Sequence, residues 1–288
     1  MTLIPENLAI RKPNKRLLDK MNSVDFNEKI LFQKETDFHS LTVVKNKFGK
    51  FIKYLDTYQA GFIDTKNYKG NIPYINYFLI PYLMNKNIKS ILLVGFGSGK
   101  LVNQYEQIFD KLKRVDIVDI EDNIFPIAKK YFNFKMSEKY NFYLQDAIIY
   151  IKTTRKKYDL IVVDVAGNEG IDERFIEDDY LNLVKSKLTK NGIFISNLPS
   201  SVDIFNKKNK LILDLIEKYK NIFPYIDLYN GSTSNKIFYK TFFDIDEDVL
   251  DITNLIIISA LKKYEITSDY KKLEEIGVDI EDYTKDLI

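Results

Sequence analysis

Short apolar runs alternate with helical segments through the middle of the chain, from about Ser90 to about Leu198. The runs SILLV, RVDIVDI, NFYLQ, DLIVV and GIFIS are mostly apolar, and segments such as IFPIAKKYF and DYLNLVKSKL carry apolar residues at helical spacing. Runs of this kind, separated by helices, predict a mostly parallel sheet that is covered by helices on both faces. The pattern therefore indicates an α/β chain with a Rossmann-like fold.

The residues before this region show a different, shorter pattern. β-branched and aromatic residues predict strands at His39–Val44, Phe51–Leu55 and Phe62–Asp64, and apolar residues at helical spacing follow over Ile72–Asn85. The residues ahead of the first strand are polar. We therefore predict an N-terminal extension, a small N-terminal β-domain and a Rossmann-like catalytic domain, which span residues 1–35, 36–70 and 71–288.

One further helix and two closing strands are predicted near the end of the chain. The helix spans Asn209–Tyr219. Ile237–Phe243 and Asn254–Leu261 are rich in β-branched and aromatic residues, as are the antiparallel strands that close sheets of this kind.

Composition excludes several classes of protein. The 288 residues include no cysteine, which excludes disulfides, thiolate metal sites and cysteine nucleophiles. The single histidine, His39, argues against a histidine-rich metal site or a Ser-His-Asp triad. A net charge of +2 gives no electrostatic footprint for nucleic acid. The sequence shows no signal core, and its apolar stretches are too short to cross a bilayer. We therefore predict a cytoplasmic protein without a metal, a membrane partner or a nucleic-acid partner.

Glycines follow the first strand of the core. ILLV runs directly into Gly95, Phe96, Gly97, Ser98 and Gly99. Glycine lets the backbone turn tightly and approach a ligand closely, and ligands of open α/β sheets bind at the carboxyl ends of the strands. A tight turn without a ligand is the simpler alternative. The position directly after a buried strand favours a cofactor-binding loop.

Carboxylates end the next two strands. Asp119, followed by Ile120, suits the two hydroxyls of a ribose, although an exposed strand end or an NAD site would fit it too. Asp146, followed by Ala147, can accept the exocyclic amine of adenine while a neighbouring N–H serves a ring nitrogen. Asp146 also suits the N-cap of the next helix, and the two roles are compatible. Together with the glycines, these strand ends predict an adenosyl site.

A third carboxylate, Asp164, ends the very apolar strand DLIVV. An isolated carboxylate is costly to bury, so we expect its side chain to face the ligand cleft. There it can accept a proton or hold a cationic amine. Capping of the following loop is the alternative role for this residue.

The ordered motifs resemble those of the spermidine synthase family of polyamine aminopropyltransferases, over about residues 37–262. The matching segments are TDFHSLTVV, KYLDTYQAGFIDTKNY, ILLVGFGSGKL, IVDIEDN, LQDA, YDLIVVDV, DYLNLVKSKLTKNGIFISNL and DLYNGS. The resemblance implies a small N-terminal β-domain, a class I methyltransferase-like catalytic domain and a homodimer or higher homo-oligomer. It also implies transfer of an aminopropyl group from decarboxylated S-adenosylmethionine to an amine such as a polyamine.

The resemblance further implies roles for single residues. Asp164 takes the place of the catalytic Asp, which is proposed to deprotonate the attacking amine. Tyr68 and Tyr229 take places that line the amine pocket. His39 stands where a Gln is usual and Lys69 where a His or Gln is usual, and both complete the predicted substrate-binding set.

Two departures from the family bear on the cofactor. Ser98, with Lys100 nearby, stands where the family has an Asp that holds the ammonium of the aminopropyl group. The family's D-S-S-D segment reads D-V-A-G from Asp164. We therefore predict weak selectivity against ordinary S-adenosylmethionine. An S-adenosylmethionine-dependent methyltransferase with a small acceptor is the alternative function, and a non-catalytic nucleoside-binding protein and an NAD oxidoreductase are further ones.

Overall fold

The structure is a computed structural model that describes residues 19–20, 23–38, 40–54, 57–165, 172–199, 209–245 and 254–287. Two sheets form its framework: a five-stranded sheet near the N-terminus (sheet A) and a seven-stranded sheet after it (sheet B). Within the described residues, no helix is both long and apolar enough to cross a membrane.

Sheet A is an antiparallel meander in which each strand pairs with the next along the chain. Its strands are β1 (Lys29–Glu35), β2 (Ser40–Asn46), β3 (Gly49–Tyr54), β4 (Thr57–Asp64) and β5 (Lys69–Asn71). Val43 and Ile52 are completely buried on its inner face. The sheet begins at Lys29, within the segment that we predicted to be an extension.

Sheet B has the strand order β11-β12-β10-β9-β6-β7-β8. Its strands are β6 (Ser90–Val94), β7 (Arg114–Asp119), β8 (Tyr140–Leu144), β9 (Tyr158–Val163), β10 (Leu188–Pro199), β11 (Tyr225–Tyr229) and β12 (Asn254–Ala260). Strands β6 to β10 pair in parallel, and β12 lies antiparallel between β10 and β11. Ile91 and Leu93 of β6 enter one core, and Leu92 and Val94 enter the core on the opposite face. The prediction of a mostly parallel sheet buried on both faces is thus confirmed.

In the part of the chain that the structure describes, helices and two 3-10 segments connect these strands. The α-helices are α1 (Ile80–Met84), α2 (Lys100–Ile108), α3 (Ile124–Tyr131), α4 (Ala147–Thr153), α5 (Asp178–Lys187), α6 (Asn209–Ile222), α7 (Ser232–Phe243), α8 (Lys271–Glu275) and α9 (Glu281–Thr284). The 3-10 segments are Pro73–Leu79 and Glu173–Phe175. The single helix predicted over Ile72–Asn85 is therefore a 3-10 segment followed by α1. Pro81 lies in the first turn of α1, where its missing N–H leaves no helical bond unmade.

The strand predicted at Ile237–Phe243 is wrong, because this segment belongs to α7. Phe238 and Phe242 lie one helical turn apart with ring centroids 4.6 Å from each other, and both pack against the aromatic side chains of sheet A. A dense aromatic run suits a strand and a buried helix equally, so the surface offered by sheet A decides between them. The prediction at Asn254–Leu261 is confirmed as β12, and β11 is the second closing strand.

The order of sheet B places its ligand crevice between β6 and β9. The chain leaves β6 towards β7 and β8 on one side, and leaves β9 towards β10 on the other. Open sheets bind ligands at the carboxyl ends of their strands where the direction of connection reverses in this way. The Asp164 N–H donates to the Val94 carbonyl at 2.9 Å, so Asp164 and the glycine loop lie side by side at this point.

Candidate active site

A cavity of about 1030 Å³ lies at the carboxyl ends of the central strands of sheet B. The glycine loop, the strand-end carboxylates, the inner edge of β4, the start of the 3-10 segment at Pro73 and one side of α7 all contribute to its wall. Sheet A and α7 thus cover a crevice that sheet B alone would leave open.

The glycine loop fits tightly against the ends of two neighbouring strands. A Cβ atom on Gly95 would lie 2.2 Å from the Asp164 carbonyl oxygen, and the φ angle of Gly95 is +89°. Gly99 has a φ of +71° and ends the loop at the start of α2. Only glycine meets both conditions without strain. The loop therefore brings backbone close to the cavity, and Ser98 within it is 9% exposed.

Asp119 holds the glycine loop and borders the cavity. Its carboxylate accepts hydrogen bonds from the Phe96 N–H at 2.8 Å and the Glu121 N–H at 2.9 Å. Burial raises the pKa of Asp119. Glu121 is 1% exposed and also lines the cavity, and its Oε2 has no partner among the described residues. Both carboxylates line the cavity, and a hydroxyl that donates a hydrogen bond to such a group offsets the cost of its burial.

Replacing Asp119 by Ala should weaken binding of methylthioadenosine by about 1–3 kcal/mol, because a buried acceptor and the anchor of the Phe96 N–H are both lost. Isothermal titration calorimetry measures the effect directly. Asp122→Ala is the matched control, because this carboxylate is exposed on the same loop and outside the cavity. Unchanged affinity in a folded Asp119→Ala variant would remove the ribose role.

Asp146 makes the bonds of an N-cap and also lines the cavity. Its Oδ1 accepts from the N–H groups of Ile148 at 2.8 Å and Ile149 at 3.2 Å, at the start of α4. Its Oδ2 accepts from the Arg174 guanidinium at 3.0 Å. The capping role and an adenine role are compatible, because each carboxylate oxygen has two lone pairs.

Asp164 lies at the centre of a small polar cluster. Asn197 at the end of β10 donates to its Oδ1 at 3.0 Å, and the Tyr74 hydroxyl donates to its Oδ2 at 3.2 Å. Burial raises the pKa of Asp164 to about 6, although the two hydrogen bonds oppose that rise. Burial also raises the pKa of Tyr74, which keeps its hydroxyl a donor. A carboxylate in this setting can accept a proton near neutral pH.

The described wall of the cavity is strongly acidic. Six carboxylates line it and one guanidinium, that of Arg174, opposes them. Arg174 is already bound to Asp172 at 2.7 Å and to Asp146 at 3.0 Å. A cleft lined by one sign of charge concentrates ligands of the opposite sign. The site therefore suits cations such as a sulfonium or an ammonium. The acidic residues are Asp37, Asp119, Glu121, Asp146, Asp164 and Asp172.

Three of the four predicted substrate-binding residues lie outside the described wall of this cavity. His39 lies outside the described residues. Tyr68, Lys69 and Tyr229 are absent from the described wall of this cavity. The Tyr68 hydroxyl accepts from Asn76, Lys69 forms a surface ion pair with Asp64, and Tyr229 is completely buried.

Three residues that sequence reasoning missed occupy the wall near Asp164 instead: Gln59, Tyr74 and Asn197. Tyr74 is the next tyrosine along the chain after Tyr68, and Asn197 directly follows the apolar run GIFIS. A polar residue at the end of a buried strand was the available signal for Asn197. The residues that we predicted for the adenosyl site all line the cavity except Gly99, which ends the glycine loop at the start of α2.

A seven-stranded sheet whose last strand lies antiparallel between its neighbours, with a glycine loop and carboxylates at the strand ends, defines a class I methyltransferase-like α/β transferase. A sequence model of the spermine/spermidine synthase domain matches residues 78–233, more than half of the chain. The chain belongs to the spermine/spermidine synthase family.

Individual relatives agree with this assignment. The polyamine aminopropyltransferase of Buchnera aphidicola subsp. Acyrthosiphon pisum (strain APS) is 28% identical over 204 residues, which cover 69% of this chain and 67% of the relative. That of Clostridioides difficile (strain 630) is 28% identical over 76% of this chain and 74% of its own. The structure of spermidine synthase from Thermotoga maritima matches with a TM-score of 0.62 and 12% identity, over 90% of this chain and 84% of that one. This last likeness shows the fold.

Proposed function

We propose that this chain transfers an aminopropyl group from decarboxylated S-adenosylmethionine to an amine and releases methylthioadenosine. The observation that carries the proposal is Asp164, a buried carboxylate at the reversal point of sheet B that faces an acidic cavity. Both reactants are cations, which such a cavity attracts. The relatives named polyamine aminopropyltransferase support the same reaction. A cytoplasmic location and a homo-oligomer remain predictions from the sequence.

The adenosyl group fits the end of the cavity that is lined by Asp119 and Asp146. Asp119 and Glu121 offer acceptors for the ribose hydroxyls, and Asp146 offers one for the adenine amine. The backbone of the glycine loop closes against the same group. This placement leaves the sulfonium between the ribose and Asp164.

The chemistry is a displacement at the carbon beside the sulfonium. The lone pair of the amine forms the new C–N bond while the electrons of the C–S bond pass to sulfur, so that neutral methylthioadenosine leaves. An amine carries a proton at neutral pH, and Asp164 accepts that proton so that nitrogen can attack. Tyr74 and Asn197 fix the two oxygens of Asp164, which aligns base, nucleophile and carbon.

The acceptor amine enters beside α7. Ser234, Asn235, Phe238 and Tyr239 lie on one side of that helix and line the cavity. Polar side chains come first along the helix and aromatic ones follow. Such a wall suits an amine with an apolar carbon chain, because amide and hydroxyl groups bind nitrogen and aromatic faces bind methylene groups or a second ammonium.

Amine-dependent formation of methylthioadenosine tests the proposal. The chain is incubated with decarboxylated S-adenosylmethionine and with monoamines, diamines and triamines in turn, and the nucleoside product is quantified by chromatography. We expect methylthioadenosine only where both reactants are present. No product with any amine, from protein that binds methylthioadenosine, would refute the transferase role.

The pH dependence of the reaction should report Asp164. Because the carboxylate is the base, kcat/KM should fall as the pH drops through about 6 and level off above that value. Tyr74→Phe removes a hydrogen bond that favours the charged form, so the pKa should rise and the acidic limb should move to higher pH. Phe238→Leu, which changes another aromatic residue of the cavity wall and leaves both hydrogen bonds of Asp164 in place, is the control. An acidic limb that stays in place in Tyr74→Phe would contradict this assignment.

A further inference from the structure

Asp286 is a buried carboxylate that the chemistry proposed above does not use. It is 9% exposed and lies outside the described wall of the cavity. The Ser232 hydroxyl donates to its Oδ1 at 2.6 Å, and the Thr233 N–H donates to its Oδ2 at 2.8 Å. The Tyr77 hydroxyl also donates to Oδ2. Burial of a carboxylate is costly unless donors replace its water, so these three donors and the carboxylate hold one another in place.

Two of the donors belong to the first turn of α7. The first N–H groups of a helix lack acceptors within the helix, and a negative charge near them is stabilising. Gly231, at the N-cap, has no side chain that could accept, and Asp286 takes this role from 53 residues beyond Thr233. Ser234 and Asn235 follow directly on α7 and line the cavity. Asp286 therefore fixes the end of the helix that carries the polar part of the proposed acceptor wall.

The third donor belongs to the 3-10 segment that starts at Pro73. Tyr77 is completely buried, and burial raises the pKa of its hydroxyl, which keeps that hydroxyl a donor. A 3-10 helix has about three residues per turn, so Tyr77 lies one turn beyond Tyr74 on the same side of the segment. Tyr74 in turn donates to Asp164 at 3.2 Å. The bond from Tyr77 to Asp286 thus holds the segment that supplies one of the two hydrogen bonds of the base.

The chain around Asp286 is also held by bonds that do not involve this carboxylate. The Asn230 N–H donates to the Asp286 carbonyl at 3.2 Å. The Tyr283 hydroxyl, on α9, accepts from Asn76 at 3.0 Å. Removal of the carboxylate alone leaves both bonds in place. A substitution at this position therefore reports the link between α7 and the 3-10 segment.

We propose that Asp286 is a positioning residue, which links α7 to the 3-10 segment and thereby sets the distance between the acceptor amine and the Asp164 base. The inference rests on the proposed function. In that function the amine binds beside α7, whereas Tyr74 aligns the base from the 3-10 segment. Proton transfer and attack need both groups in place, because a small displacement of a reacting group costs much of the rate. The proposed adenosyl contacts, with Asp119 and Asp146, involve neither element.

Steady-state kinetics of Asp286→Ala test the proposal, with the amine that gives the most methylthioadenosine in the assay above. We expect kcat/KM for the amine to fall about ten- to a hundredfold, because the two walls lose their common anchor. The acidic limb of the pH profile should move to higher pH, because Tyr74 is no longer held where it favours the charged form of Asp164. The Kd of methylthioadenosine, measured by calorimetry, should stay at the wild-type value and reports that the variant is folded.

Two further variants separate positioning from general stability. Asp286→Asn should retain most of the wild-type kcat/KM. Its amide oxygen can accept from Thr233 and Tyr77, and its amide nitrogen can donate to the Ser232 hydroxyl oxygen. Asp282→Ala is the matched control, because this exposed carboxylate on α9 pairs with a surface lysine. We expect the control to keep the wild-type kinetics and pH profile.

The outcomes distinguish failure of this proposal from failure of the function on which it rests. If the wild type is active and Asp286→Ala matches it in kcat/KM and in the acidic limb, the proposal is overturned. Equal losses of amine kcat/KM and of methylthioadenosine affinity also overturn it, because the effect would then be a general loss of structure. If Asp286→Ala does not fold, Tyr77→Phe decides: it should still move the acidic limb to higher pH, and an unchanged limb overturns the proposal. A wild type that forms no methylthioadenosine with any amine refutes the function itself.

Discussion

Replacing Asp164 by Asn should lower turnover by roughly 10²- to 10⁴-fold, the usual contribution of a positioned base. The substitution keeps the shape of the side chain but removes its ability to take the proton of the acceptor amine. Binding of methylthioadenosine should change little, because the adenosyl contacts that we propose are with Asp119 and Asp146. Steady-state rates of methylthioadenosine formation, measured at saturating amine and sulfonium, give the effect.

Asp227→Asn is the matched control for this prediction. Asp227 is a partly buried carboxylate on β11 whose pKa is also raised by burial, but it does not line the cavity. The control should keep nearly full activity. If Asp164→Asn is also nearly fully active, another group takes the proton or the amine binds already neutral.

Replacing Asp116 by Ala should lower the free energy of unfolding by about 3 kcal/mol. Asp116 lies within β7 and is completely buried. Its carboxylate accepts from the Tyr158 hydroxyl at 2.7 Å and from the Lys156 ammonium at 2.9 Å. The loss is moderated because the Lys156 side chain is 36% exposed and can reach water. Urea denaturation followed by circular dichroism measures it.

The control for this prediction is Lys156→Met. It removes the partly exposed partner while Asp116 keeps the bonds from Tyr158, Tyr150 and Asn141, so we expect a loss of about 1 kcal/mol or less. Equal losses in the two variants would show that the ion pair, and not the buried network around Asp116, provides the stability.

The glycine loop and the strand-end carboxylates of the cavity could be predicted from the sequence because each of these parts is local. The tight turn after the apolar strand requires positive φ angles, and the glycines that follow the strand supply them, as Gly95 and Gly99 show. A carboxylate at the end of a buried strand is costly to bury unless it faces the crevice. Asp119 and Asp164 both line the cavity there. The carboxyl ends of parallel strands lie at the same edge of the sheet, whatever the conformation of the loops that connect them.

The wall that we propose for the acceptor amine could not be predicted in the same way, because it depends on how separate segments pack. Tyr68 and Tyr74 lie close in sequence, but β5 lies between them, and only Tyr74 is aligned with Asp164. The role of α7 depends on sheet A, whose aromatic surface makes Ser232–Phe243 a helix that covers the crevice. No local pattern encodes either arrangement.

The prediction of cofactor selectivity also depends on both local sequence and the packing of separate segments. From Ser98 and Lys100 alone, the sequence predicts weak discrimination between the two sulfonium compounds, and this stays a prediction. The structure places the Lys100 ammonium over the Phe62 ring of sheet A, 5.3 Å from its centroid, and this position depends on how separate segments pack.

The most direct test of aminopropyl transfer is a competition between the two sulfonium compounds in one reaction. Equal concentrations of decarboxylated and ordinary S-adenosylmethionine are mixed with the chain and an amine, and both nucleoside and amine products are identified by mass spectrometry. We predict methylthioadenosine together with an amine that has gained one aminopropyl group. S-adenosylhomocysteine together with a methylated amine would contradict the account.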